Sequence, residues 1–237
     1  MPTPSYTVTC KQNMILKKDI HELKFTKPKG FDFNPGQFIL FQVPDIDNPD
    51  DFQPRAYSIA STPDEDELIF VVRIVPEGRA GKWFYSMLTE GTDVEMQGPM
   101  GNFILNPNNP KDYLFVGTGV GLAPFISQVR SILTNGESRN IDLVWCTYNE
   151  NSSFWVEELK AFEEKYSNFT FHLSYTDPPP EWEGLTGRVQ QVIPNIPDFK
   201  EKQMYICGNP AMTTDVKKMC LEEWEMQKED IHIEGYI

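Results

Sequence analysis

The hydrophobic pattern of this chain changes character once, at the turn-rich joint Pro107-Asn108-Asn109-Pro110. That change restricts the chain to folds that join an all-β half to an α/β half. Before the joint, residues 6–10, 20–26, 37–43, 55–60, 68–74 and 93–97 are short β-rich runs punctuated by Gly, Pro, Asn and Asp. Runs at this spacing predict a closed antiparallel β-barrel. One helix interrupts them over 81–88, with Phe84, Met87 and Leu88 on one face. After the joint, apolar runs at 113–116, 141–147, 169–174, 204–207 and 231–233 alternate with helical patterns. Leu122, Phe125, Ile126, Val129 and Leu133 mark one helix, and Trp155, Leu159, Phe162 and Tyr166 a second. A short helix follows near 188–193 and a longer one over 210–224. Strand–helix alternation predicts an α/β doubly wound parallel sheet. The expected division is 1–107 and 108–237, which suits a chain of 237 residues and domains of roughly 100–200.

Composition narrows the function classes. The formal net charge is −14, which opposes nucleic acid and an anionic membrane surface alike. The charge is uneven: Lys11, Lys17, Lys18, Lys24, Lys27 and Lys29 face only Asp19 and Glu22 within the first 30 residues. Cys10, Cys146, Cys207 and Cys220 form no close pair, so neither a disulfide framework nor an iron–sulfur cluster of the chain's own is expected. His21, His172 and His232 are isolated, and no metal site is expected. The N-terminal residues contain no apolar signal core, and no apolar run reaches the ~20 residues of a membrane helix. The expectation is a cytoplasmic protein with no membrane or nucleic-acid partner.

Four motifs carry chemistry. Gly117-Thr118-Gly119-Val120-Gly121-Leu122-Ala123-Pro124 sits where a buried strand turns into a helix. Glycines there admit a pyrophosphate to the backbone, and a helix N-terminus supplies free N–H groups. The same turn also serves tight strand–helix packing. Arg55-Ala56-Tyr57-Ser58 offers a phosphate clamp, a ring on the same strand face and a hydroxyl. Taken alone it reads better as an exposed strand with a surface arginine. Gly78-Arg79-Ala80-Gly81-Lys82-Trp83 is a second basic, glycine-rich approach to a helix. Cys207-Gly208-Asn209-Pro210-Ala211-Met212 lies at another strand-to-helix turn, the end of an open sheet where ligands bind. A buried structural cysteine fits that position too.

The order of these motifs resembles the ferredoxin–NADP reductase superfamily over essentially the whole chain. Pro35-Gly36-Gln37-Phe38, Arg55-x-Tyr57-Ser58, Gly98-Pro99-x-Gly101-x-Phe103, the 117–124 turn and Cys207-Gly208-x-Pro210-x-Met212 follow the family's sequence and spacing. The run Ser58-Ile59-Ala60-Ser61-Thr62-Pro63 is similar to its flavin reductases and oxygenase reductases. The resemblance implies an FAD-binding β-barrel followed by an NAD(P)-binding α/β domain. It assigns Arg55 to the flavin phosphate, Tyr57 to the flavin ring and Ser58 to its reactive edge. Ala56, Arg73 and Val75 complete the flavin contacts, with Gly81, Lys82 and Trp83 at the FAD pyrophosphate. Gly117, Thr118 and Gly119 would hold the nicotinamide dinucleotide, flanked by Cys207, Gly208, Asn209, Pro210 and Met212. Ser58, Cys207 and Glu234 are the implied catalytic residues, and Tyr236 a ring-shielding aromatic. Two positions depart from the family: Trp83 and Phe84 stand where Ser or Thr is common, and Tyr236 is penultimate rather than terminal.

The implied activity is hydride transfer from NAD(P)H to FAD, then electron delivery to a ferredoxin, flavodoxin, oxygenase or small acceptor. A free-flavin reductase, a flavoprotein subunit of a larger complex and a non-catalytic binding module are the alternatives. NADH is favoured, because the second and third strands of the α/β half end in Thr147-Tyr148-Asn149-Glu150 and Ser174-Tyr175-Thr176-Asp177. Neither segment offers a cation for a 2′-phosphate.

Overall fold

The computed structural model describes residues 3–236. Contacts divide the chain into two compact units. One holds the residues up to Leu105 with Ala123–Ser131, and the other holds Asn106–Leu122 with the chain from Ile132 onward.

The first unit is built on six strands: β1 (Ser5–Lys17), β2 (Ile20–Thr26), β3 (Phe38–Pro44), β4 (Phe52–Ser58), β5 (Glu67–Arg73) and β6 (Asp93–Met100). They pair antiparallel in the order β4-β3-β6-β1-β2-β5. β1 runs far past its predicted end at 10, bending through register shifts at Cys10/Gln12 and Ile15/Lys17. Such irregularities curl a sheet. Beyond β4, the Ala60 amide donates to Ile69 O on β5 at 2.8 Å, and the Ile69 amide donates to Ser61 Oγ at 3.2 Å. These bonds tie the two ends of the sheet together, as the barrel expectation requires.

Phe25, Phe41 and Phe70 meet inside with ring centroids 4.8–6.0 Å apart. Burying each ring contributes on the order of 2–3 kcal/mol. Helix α1 (Arg79–Ser86) closes the core with Trp83 and Phe84. It starts two residues before the predicted helix and stops earlier, because the Met87 and Leu88 amides both turn back to Trp83 O. Met87 is therefore exposed and does not share the buried face with Phe84.

The second unit is a six-stranded parallel sheet: β7 (Tyr113–Thr118), β8 (Ile141–Thr147), β9 (Phe169–Tyr175), β10 (Leu185–Thr186), β11 (Gln203–Gly208) and β12 (Ile231–Gly235). The order is β10-β9-β8-β7-β11-β12. The chain winds outward from β7 through β8, β9 and β10, then returns to β11 on the other side of β7. Helices α3 (Val156–Lys165), α4 (Val189–Val192) and α5 (Pro210–Glu222) make crossovers, and α2 (Ala123–Thr134), most of which groups with the first unit, connects β7 to β8 along the chain. β7, β8 and β11 are buried almost throughout because both faces of a doubly wound sheet are covered. Trp155 does not begin α3 as its periodicity predicts: it caps the helix with φ of 52°. The two-residue strand β10 is too short to leave a periodic signal.

Candidate functional site

The second unit's chain reversal creates a topological switch point between β7 and β11, the place where open α/β sheets bind ligands. The loops leaving these strands touch. Gly208 has φ of +140°, and a Cβ there would overlap Thr118 Oγ1 and lie 2.9 Å from Thr118 O. A Cβ on Gly121 would strike Cys207 O and lie 2.6 Å from Gly208 Cα. Gly119, at φ of +54°, faces open space. Its carbonyl is fixed by Trp145 Nε1 at 2.9 Å. That tryptophan, buried in β8, positions the turn and was not singled out from sequence, where it reads only as a core residue. The turn therefore presents free backbone to an open cleft, as a dinucleotide cradle requires.

Around this crevice the structure assembles Gly117, Thr118 and Gly119 with Cys207, Gly208 and Glu234 through adjacent β registers. The Tyr236 amide donates to Gly208 O at 3.0 Å. Cys207 is fully buried and hydrogen-bonded to the Tyr236 side chain. Burial, then the Glu234 charge, push its thiol well above the usual range, so it is a neutral thiol rather than a nucleophile. Two neighbours are not poised for a ligand through their side chains. The Asn209 side chain caps α5, accepting from the Ala211 amide at 2.9 Å and the Met212 amide at 3.4 Å, with Pro210 next in the first turn. Met212 packs into the hydrophobic core under the sheet.

In the first unit, β4 is an edge strand. Arg55 pairs with Phe41 and Tyr57 with Ile39, so Arg55 and Tyr57 share one face as predicted, while Ala56 is exposed on the other. Tyr57 leans on Phe41 and Phe84, each at 5.7 Å. Burial pushes its phenol far up. Ser58 is buried at the strand's end. The Arg55 guanidinium rests on neutral acceptors, Pro54 O at 2.9 Å and Gln53 Oε1 at 2.8 Å, which leaves its charge for an anion. Val75 is exposed, and Arg73 pairs with Asp19 at 3.0 Å.

Gly81 fits only as glycine, because a Cβ would run into Val75 O. Helix α1 has no side-chain N-cap and no acid in its first turn. Among the described residues, no acceptor is bonded to the amides of Arg79, Ala80 or Gly81. Three free amides at a positive helix end, with Lys82 half-exposed beside them, fit a pyrophosphate. Trp83 does not: its indole is 2% exposed and packs on Phe41 and Phe84. Helical spacing turns it away from Lys82 into the core, so it seats the helix instead of touching a ligand. Sequence reasoning also missed that Arg79 is already occupied by Asp45 and Asp51.

Family comparisons find an oxidoreductase FAD-binding domain at residues 7–104 and an oxidoreductase NAD-binding domain at residues 115–218. A curated relative, the reductase component (ferredoxin–NAD(P)+) of the naphthalene 1,2-dioxygenase system of Pseudomonas putida, is 31% identical over 203 residues. That match covers 85% of this chain and 59% of the relative. Ferredoxin–NADP reductase B of Sorangium cellulosum is 28% identical, covering 92% of this chain and 91% of that protein. Among solved structures, the Amycolatopsis cytochrome P450 reductase GcoB superposes with a TM-score of 0.87 at 26% identity, over 99% of this chain and 71% of that one. The chain spans roughly half to three-fifths of the length of the first curated relatives it matches.

The fold is thus that of an oxidoreductase FAD-binding domain joined to an oxidoreductase NAD-binding domain. The chain belongs to the ferredoxin–NADP reductase superfamily.

Proposed function

We propose that this protein is an NAD(P)H-dependent flavoprotein reductase that passes electrons to a protein carrier or oxygenase component, with its functional division at 107/108. The observation that carries the reading is the pair of built, phosphate-ready backbone cradles: the free amides of α1 in one unit and the 117–121 turn in the other. When bound, the FAD and NAD(P)H supply the hydride and electron chemistry. The protein binds, orients and excludes water. Arg55 holds the flavin phosphate, Tyr57 supports the ring, and Ser58 orients its reactive edge. Arg73 and Val75 border the flavin, and Gly81 and Lys82 take the pyrophosphate. Gly117, Thr118 and Gly119 hold the dinucleotide, with Cys207 and Glu234 at its nicotinamide end, and Tyr236 shields the flavin ring. Cys207 acts by shape, since a neutral buried thiol fills a fixed space beside the strand end.

Two separated phosphate features, Arg55 and the start of α1, favour FAD over FMN, whose single phosphate needs one. Acid release and chromatography of the bound flavin is expected to give FAD. FMN alone at full occupancy would refute the assignment.

Relatives named as reductase components of dioxygenase systems and as components of Na+-translocating NADH-quinone reductases support a protein electron carrier as the acceptor. Of the lysines in the first 30 residues, Lys24 pairs with Glu22 at 3.6 Å. Lys27 is committed to the carbonyls of Pro63 and Glu65. Lys17 and Lys18 lie at the β1–β2 turn, where Asp19 bonds Arg73 at the end of β5. They stand beside the proposed flavin strand and can steer an acidic carrier towards it. Turnover with ferredoxin or flavodoxin should then fall steeply with salt, since screening acts over ~8–10 Å. Charge reversal at Lys17 and Lys18 should cut that turnover and spare ferricyanide reduction. Salt-independent rates would favour a small acceptor such as free flavin.

A further inference from the structure

Arg79 opens α1 with its side chain at the helix's positive end, yet its charge is spent. Nη2 meets Asp51 Oδ2 at 2.6 Å, and Nη1 donates to Asp51 O at 2.6 Å. Asp45 Oδ2 stands 3.3 Å from Nη2. The guanidinium is only 13% exposed, while the two carboxylates are 33% and 48% exposed. One residue of the β3–β4 loop thus presents two oxygens to the two arms of the guanidinium, the fork geometry a phosphate takes. The loop is itself organised around Asp45, whose carboxylate accepts from the Asp47 amide at 2.9 Å. The Asp45 amide in turn donates to Asp51 O at 2.9 Å. Hydrogen bonding from Asp47, and then the charges of Arg79 and Lys82, hold the Asp45 carboxyl below its usual range. Both carboxylates thus meet the guanidinium of the residue that opens α1, the helix whose first amides fit a pyrophosphate.

We infer that Asp45 and Asp51 are affinity and specificity determinants for the flavin. They occupy the Arg79 clamp and place two negative charges beside the pyrophosphate cradle, so FAD must compete with the loop for the guanidinium. FMN, held by its single phosphate at Arg55, does not meet this competition. The acids consequently weaken FAD binding and narrow the preference for FAD over FMN, leaving the flavin exchangeable. The inference rests on the reading that the start of α1 receives the pyrophosphate.

The test is flavin affinity, read by quenching of flavin fluorescence when FAD or FMN is titrated into flavin-stripped protein. Asp51→Asn and Asp45→Asn are near-isosteric. Each should tighten FAD by about tenfold, the effect of removing one partly exposed charge near a phosphate, and leave FMN within about twofold. Arg79→Gln separates the inference from its premise, since it should weaken FAD and spare FMN. If Arg79→Gln weakens FAD but neither asparagine variant tightens it, the competition does not exist and the acids merely anchor the loop. If Arg79→Gln leaves FAD affinity unchanged, the premise fails and the inference falls with it. Hydrogen exchange gives an independent readout in the unmodified protein. Saturation with FAD should speed exchange at the amides of Asp45 and Asp47 as the loop lets go. Slowed or unchanged exchange there would contradict release.

Discussion

Gly208→Ala is expected to slow reduction of bound flavin by NADH by about 100-fold or more while leaving FAD affinity unchanged. At φ of +140° the backbone of Gly208 is in a region that L side chains rarely adopt. The added Cβ would also land on Thr118, a residue of the neighbouring cradle. Neither loop can retreat freely. Cys207 and Gly208 are fixed between β7 and β12, and Gly121 already lies in contact with them. The shift therefore passes into the 117–119 turn. A misplacement of about 1 Å at a site that depends on near-attack geometry costs on the order of 100-fold. The flavin cradle proposed above draws on β4, β5 and α1, and so on neither β7 nor β11. Stopped-flow reduction with fluorescence titration of FAD separates the two effects. A reduction rate equal to wild type would show that the β7/β11 crevice does not hold the nicotinamide.

The second large effect is in nucleotide choice: kcat/KM for NADH should exceed that for NADPH by about tenfold or more. The ends of β8 and β9 are zipped together, with the Thr176 amide donating to Thr147 O at 3.0 Å and the Asp177 amide to Tyr148 O at 2.9 Å. The Tyr148 phenol is bonded to the Asp177 carboxylate, and that hydrogen bond, then the charge itself, push the phenol's pKa up. A carboxylate held at this corner would accept from ribose hydroxyls and repel a 2′-phosphate. Tyr175 and Trp182 pack at 4.3 Å to form its wall. Arg188 follows Gly187, which the fold brings to this corner: the Gly187 amide donates to Tyr175 O at 2.9 Å. Asp177→Asn should narrow the preference, since it keeps the hydrogen bond and removes the repulsion. A higher kcat/KM for NADPH in the wild type would overturn the assignment and turn attention to Arg188.

Much of the architecture was legible because burial imposes period. β2 runs over the predicted residues 20–26, where apolar side chains sit between Asp19 and the Lys27-Pro28 break. β7 and β8 were legible as apolar runs, since both faces of a parallel sheet are covered. β1 was under-read because Lys11, Gln12 and Asn13 look like a turn. In the fold, Asn13 Nδ2 donates to Phe84 O and Leu88 O at 2.9 Å each, so a polar residue is satisfied inside a strand. For the site, the order of glycines and prolines pointed to the turns at 78–83, 117–121 and 207–208, because close backbone approach leaves a mark on residue type. The directions of Trp83 and Met212 were not legible, since packing against distant core residues decides them. Nor was the grip of Asp51 on Arg79, two residues 28 apart in sequence joined only by the fold.

At the centre of the proposed function is hydride transfer within one chain that binds both FAD and a nicotinamide dinucleotide. Anaerobic mixing of the FAD-loaded protein with NADH tests it most directly. Such transfer predicts that the visible flavin absorbance bleaches within a single turnover and returns when ferricyanide is added. Flavin that stays oxidised with excess NADH, and equally with excess NADPH, would contradict it.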